Sequence, residues 1–161
     1  MTKDNAMDFD AVFSTLIGHE GGYVNDKRDP GGETKFGISK RAYPDVNIAS
    51  LTIEQAKLIY KRDYWDRARC ADLPPSVAFQ VFDTAVNSGI GQSIRFLQRA
   101  VGVADDGQVG PVTINAVRRM DAEAVSARFN GHRLQFMTSL STWDVFGKGW
   151  ARRVAKNLME V

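Results

Sequence analysis

Phe9, Val12, Phe13, Leu16 and Ile17 recur at the i, i+3, i+4, i+7, i+8 spacing of a helix with one apolar face, and the stripe runs out at Gly21-Gly22. Asp8 is placed to cap its start. The helical period is lost over residues 23–39, where "YVND" and "TKFGIS" flank the turn-forming "KRDPGG"; this stretch reads as a short irregular hairpin or an ordered loop. The period then returns. Thr52 and Gln55 have the spacing of a capping box before a helix reaching about Arg67. Pro74-Pro75-Ser76 opens another, with Phe79, Phe82 and Val86 on one face, ending near Gly89. A third starts near Gly91, a short one at Gly110-Pro111, and a longer one is capped by Asp121. The last runs from Trp143 or a later residue to about Met159, with a bend expected near Gly147 and Gly149. The fold class expected is all-α with a small irregular β-hairpin or loop. It divides into lobes 1–88 and 89–161, packed as one body with the junction between Ser88 and Gly91.

At 161 residues the chain can bury a core without covalent staples, and its single cysteine, Cys70, excludes an internal disulfide. The N-terminal "MTKDNAMDFD" has neither the basic nor the apolar segment of a secretory signal, and no apolar run approaches the about 20 residues that span a bilayer. Synthesis in the cytoplasm is the resulting expectation. Charge is uneven: residues 1–87 hold 11 Lys and Arg against 13 Asp and Glu, whereas residues 88–161 hold 10 against 6. The basic half is either a solvated surface or a face attracted to an anionic polymer or membrane. It lacks the dense basic stripe of a nucleic-acid binder.

Glu20 extends the first helix's stripe, three residues beyond Ile17 and four beyond Leu16, which puts a carboxyl on the apolar side. Burial disfavours its ionised form, and so does the negative end of the helix dipole. Both raise its pKa, and a carboxylic acid tuned toward about 6–7 can act as a general acid near neutral pH. Asp29, in "RDPGG", sits where a carboxylate can stay wet and ionised; an Asx-type turn is the alternative role. Two carboxyls whose environments push their pKa values apart suit glycosidic bond cleavage through an oxocarbenium-like transition state. Thr34 could orient a water or a sugar hydroxyl, or simply satisfy a turn.

The stretch "HEGGYVNDKRDPGGETKFGIS" resembles the signature of the glycoside hydrolase family 108 lysozymes, found as phage and prophage endolysins and as secretion-associated muramidases. The match covers Glu20, Gly21, Gly22, Tyr23, Asp29, Gly31, Gly32, Thr34, Gly37 and Ile38. "FLQRAVGVADDGQVGPVTINAV" resembles the family's C-terminal region, usually described as a predicted peptidoglycan-binding segment. The resemblance implies a lysozyme-like fold cleaving the β-1,4 bond between N-acetylmuramic acid and N-acetylglucosamine. It implies Glu20 as catalytic acid, with Asp29 and Thr34 as its partners. The endolysin so implied acts on peptidoglycan glycan strands as a monomer, without cofactor or metal. It would be made in the host cytoplasm and reach the periplasmic wall after a holin opens the inner membrane.

Asp83 and Asn87, four residues apart on one helix, could both face a cleft and bind substrate, or could serve interhelical hydrogen bonds. Tyr23, Tyr64 and Trp65 offer faces for sugar rings, with core packing as the alternative. The final helix sets Lys148, Arg152, Arg153 and Lys156 beside Trp150, Val154 and Leu158; one side in the core is the simpler reading, contact with the anionic outer membrane the other. With only His19 and His132 and no paired-ligand motif, a zinc amidase is disfavoured. A cysteine peptidase would need Cys70 activated by a histidine such as His132. A non-catalytic wall binder or secretion accessory of the same fold, and a lytic transglycosylase, are the competing functions.

Overall fold

A computed structural model describes residues 9–17 and 22–160. Their contacts divide into two compact units, one formed by the described residues up to Asp63 and the other by those from Tyr64 onward. This division lies upstream of the 88/89 junction expected from the sequence, because the helix beginning at Pro75 packs with the helices that follow it.

In the first unit, helix α1 (Phe9–Ile17) buries Phe9, Val12, Phe13 and Leu16, the stripe seen in the sequence. Phe13 lies 5.8 Å from the ring of Tyr60 on α2 (Ile53–Tyr60), and Ile38, Ile48, Leu51 and Ala56 complete the buried set. Each such aromatic or aliphatic side chain contributes about 1.5–3 kcal/mol when fully buried. The capping box at Thr52 forms: Thr52 Oγ1 accepts from the Gln55 amide at 3.2 Å, and Gln55 Oε1 accepts from the Thr52 amide at 2.9 Å. Beyond Tyr60 the helix does not stay α. Residues Lys61–Asp66 form a π-helical turn, so a helix end at about Arg67 has the right place and a different winding.

Between α1 and α2, strands β1 (Thr34–Lys35) and β2 (Ile38–Ser39) pair antiparallel, with Thr34 opposite Ser39. Their two-residue connection, Phe36-Gly37, has φ of 52° and 76°. Both central residues of a tight mirror-image hairpin turn need positive φ, and the second is glycine as expected. Phe36 bears the steric cost, roughly 1–2 kcal/mol for a residue with a Cβ. Tyr60 offsets part of it by donating its hydroxyl to the Phe36 carbonyl at 2.6 Å.

The second unit is helical: α3 (Pro75–Ser88), α4 (Ile90–Val101), α5 (Pro111–Arg118), α6 (Ala122–Thr138) and α7 (Trp143–Met159). In α3 the run Val77–Ala85 is buried without a break, as expected of a helix enclosed on all sides. It packs on α4 and α6, and α6 packs on α7. Ser93 Oγ ties α4 to α3 through the Val81 carbonyl at 2.7 Å, and Phe96 meets Phe129 and Phe136 edge-on. Asp121 caps α6 by accepting from the Ala124 amide. Gly102, with φ of 74°, closes α4 in the left-handed region glycine tolerates. Seven α-helices and one two-stranded sheet among the described residues give the mainly helical, lysozyme-like architecture expected from the sequence.

Candidate active site

Glu20, the expected acid, lies outside the described residues, three positions beyond the end of α1 at Ile17. The loop that follows is described from Gly22 and is closely tied. Val24 and Thr34 exchange both backbone hydrogen bonds at 2.8 Å, which makes residue 24 a third extended position beside the hairpin. Thr34 is thereby held from both sides, by Val24 and by its pairing with Ser39, and its side chain is half-buried. Tyr23, immediately before the bridge, is 46% exposed.

Asp29 projects from the turn inside this loop. Its Oδ1 accepts from the Gly31 amide at 2.8 Å, its carbonyl accepts from the Gly32 amide at 3.0 Å, and its own amide donates to the Asp26 carbonyl at 2.9 Å. A Cβ on Gly31 would stand 3.2 Å from that same Oδ1, and Gly32 has φ of +73°. The glycine pair therefore lets the carboxylate fold back onto its own turn. Asp29 is an Asx-turn residue, and it is also an exposed carboxylate on an ordered loop. The two roles use different parts of the group: one oxygen fixes the turn, while the charge stays at the surface.

In the second unit, Asp83 and Asn87 part company. Asp83 is 1% exposed, and Asn87, one turn further along α3, is exposed. Asp83 Oδ2 accepts from Arg133 Nη1 at 3.0 Å and from Asn157 Nδ2 at 2.6 Å, while Oδ1 accepts from Arg153 Nη2 at 2.9 Å. Burial alone would raise its pKa. The Arg153 and Arg133 guanidiniums reverse that, with hydrogen bonds from Arg153 and Asn157, and hold the carboxyl below the ordinary carboxylate range. A group so enclosed has no face left for a sugar, so Asp83 is corrected from a substrate-binding residue to an interior link joining α3, α6 and α7. Its partners Arg133 and Asn157 were missed in the sequence. The only signal was the interruption of an apolar helix face, which does not name a partner fifty or more residues away.

Tyr64 lies half-buried in the π-helical turn. Trp65 is 5% exposed and meets Phe82 edge-on at 5.6 Å, so it belongs to the core. Asp63, in the first unit, accepts from the Tyr43 hydroxyl at 2.7 Å. Cys70 is buried, and that burial pushes its thiol pKa up, the reverse of what a nucleophile needs. Among the described residues no three His, Cys, Asp or Glu side chains gather where a metal ion could be held.

Two family models match the chain. One, described as glycosyl hydrolase 108, covers residues 13–89; the other, described as a predicted peptidoglycan domain, covers residues 92–155. Among solved structures, Brucella abortus SagA is similar with a TM-score of 0.85 and 34% identity, over 94% of this chain and 92% of that one. No curated protein matches.

Proposed function

The chain belongs to the glycosyl hydrolase 108 family and is a glycoside hydrolase acting on peptidoglycan; from that premise we propose that it is an N-acetylmuramidase, cutting the β-1,4 bond between N-acetylmuramic acid and N-acetylglucosamine. One observation carries the reading furthest: Asp29 is an exposed carboxylate held on a hydrogen-bonded turn, nine residues beyond Glu20 in the matched region. A carboxylate that must face a developing positive charge works best when its position is fixed before the reaction.

In the proposed mechanism Glu20 is protonated and hands its proton to the bridging oxygen as the glycosidic bond breaks. Asp29 stabilises the oxocarbenium ion or activates the incoming water, and Thr34 orients that water. Tyr23, Tyr64 and Asn87 are proposed to contact the glycan. The resemblance to phage and prophage endolysins supports a monomeric lytic enzyme, made in the host cytoplasm, reaching the periplasmic wall after holin opening, and causing host lysis.

Digestion of purified peptidoglycan by wild type and Glu20→Gln, read by mass spectrometry, tests this. Reducing muramic acid ends from wild type and none from Glu20→Gln are expected. Anhydro-muramic ends would show a lytic transglycosylase instead, and wall binding without any cleavage would show a non-catalytic binder.

A further inference from the structure

The ion cluster around Asp83 does not use up the polar groups inside the helical unit. Arg133 spends one guanidinium nitrogen, Nη1, on Asp83 at 3.0 Å, and its Nε and Nη2 have no partner among the described residues. Neither do Ser126 Oγ and Asn130 Oδ1 on the same helix, Gln80 Oε1 and Thr84 Oγ1 on α3, or Asn157 Oδ1 on α7. All six of these side chains are buried, none more than 2% exposed. Ser126, Asn130 and Arg133 follow at spacings of four and three, which puts them on one face of α6; Gln80 and Thr84 stand four apart on α3. Asp83 holds both Arg133 and Asn157, and Gln80 Nε2 donates to the Asn157 carbonyl at 3.1 Å, so these faces of α3, α6 and α7 meet.

A buried polar group left unbonded costs more than a made hydrogen bond contributes, so folded interiors keep few of them. The mixture here decides what satisfies it. Arg133 Nε and Nη2 only donate, the amide oxygens of Gln80, Asn130 and Asn157 only accept, and the hydroxyls of Thr84 and Ser126 do both. The amides are fixed in this sense, because their nitrogens are already engaged: Asn130 Nδ2 on the Ser126 carbonyl at 2.9 Å, Asn157 Nδ2 on Asp83, Gln80 Nε2 on Asn157. An anion would suit the guanidinium and the hydroxyls but would set its charge against three amide oxygens. A metal ion would suit the oxygens and be repelled by Arg133. Water carries no charge, gives two protons and accepts two.

We propose that water molecules sealed between α3, α6 and α7 are a built part of this unit. They bridge the Nε–Nη2 edge of Arg133 and the hydroxyls of Thr84 and Ser126 to the amide oxygens of Gln80, Asn130 and Asn157. A buried water makes about three hydrogen bonds, so the set takes more than one. The waters extend the Asp83 cluster into a hydrogen-bonded seam that ties α7 to α3 and α6, a role separate from bond cleavage.

The sign of a stability change tests the seam. Thr84→Val keeps the outline of the side chain and removes its hydroxyl. Deleting a hydroxyl that bonds nothing would raise the thermal midpoint of the full chain; deleting one that holds a bridging water should lower it by about 2–4 °C. Ser126→Ala should move it the same way. A crystal structure of wild type at atomic resolution, grown with sodium bromide, identifies the occupant. The expected result is a water oxygen within hydrogen-bond distance of Arg133 Nε or Nη2 and of at least one of the three amide oxygens, with no anomalous bromide signal there. An unchanged or raised midpoint in either variant overturns the proposal. So does bromide on the Arg133 edge, or direct pairing of these side chains with no water between them. No peptidoglycan enters these measurements, so the hydrolase reading and the water seam fail separately.

Discussion

Arg133 donates to Asp83 across 3.0 Å with both side chains shut away from solvent, 0% and 1% exposed. Arg153 and Asn157 share the same carboxylate, so three helices converge on one charge. Removing that charge strands a buried guanidinium. Breaking a buried pair by deleting one partner costs about 3–5 kcal/mol. Asp83→Asn should therefore lower the urea midpoint sharply, with little change in slope. Arg153→Gln, at a side chain 20% exposed, should cost less. Equal losses for the two variants would show that the site is wetter than its geometry indicates.

The same carboxyl sets a pH dependence. Its pKa is lower folded than unfolded, where an aspartate titrates near about 3.9. The unfolded chain then binds the proton more readily, so the contribution of Asp83 is complete above about pH 4 and disappears as pH falls through the folded value. Thermal midpoints measured from pH 6 downward should drop steeply below about pH 4 in wild type. In Asp83→Asn the curve should start lower and fall less. Parallel curves would assign the acid sensitivity to other carboxylates.

Tyr60→Phe isolates the clamp on the β1–β2 turn. The hydroxyl donates to the Phe36 carbonyl at 2.6 Å, while the ring remains packed near Phe13. A net loss of about 0.5–1.5 kcal/mol is expected for the missing hydrogen bond, a shift of about 2–4 °C per kcal/mol in a domain of this size. Hydrogen exchange at the hairpin amides should rise along with it. A lowered midpoint with unchanged exchange there would place the loss elsewhere.

These contacts mark where the sequence was legible. Helices announced themselves through local signals: the α1 stripe, Thr52 with Gln55, Pro75 and Pro111 at first turns, Asp121 at a cap. Each acts within about one turn, so each could be read from neighbours. The π-helical turn at Lys61–Asp66 leaves no comparable mark, since its apolar spacing is close to that of the α-helix it continues. Asp83 is ambiguous in the sequence for the reverse reason. A polar residue on an apolar helix face signals either a site or an interior partner, and the partners here lie 50 and more residues away. Asp29 was read as both turn former and carboxylate, and the hydrogen bond to Gly31 shows the first role directly.

Asp29 also allows those two roles to be separated experimentally. Asn keeps a side-chain oxygen that can accept from the Gly31 amide, so Asp29→Asn should preserve the turn and change the thermal midpoint by little. It removes the negative charge, however. If that charge stabilises the oxocarbenium ion or activates water, kcat on peptidoglycan should fall by about 10²–10⁴-fold with the fold intact. Asp29→Ala loses both functions, and should add about 0.5–1.5 kcal/mol of destabilisation to the same catalytic defect. Asp29→Glu retains the charge but cannot close the same two-residue turn, so partial activity with a loosened loop is expected. Near-wild-type turnover by Asp29→Asn would reduce the residue to a turn former and require a second catalytic group elsewhere.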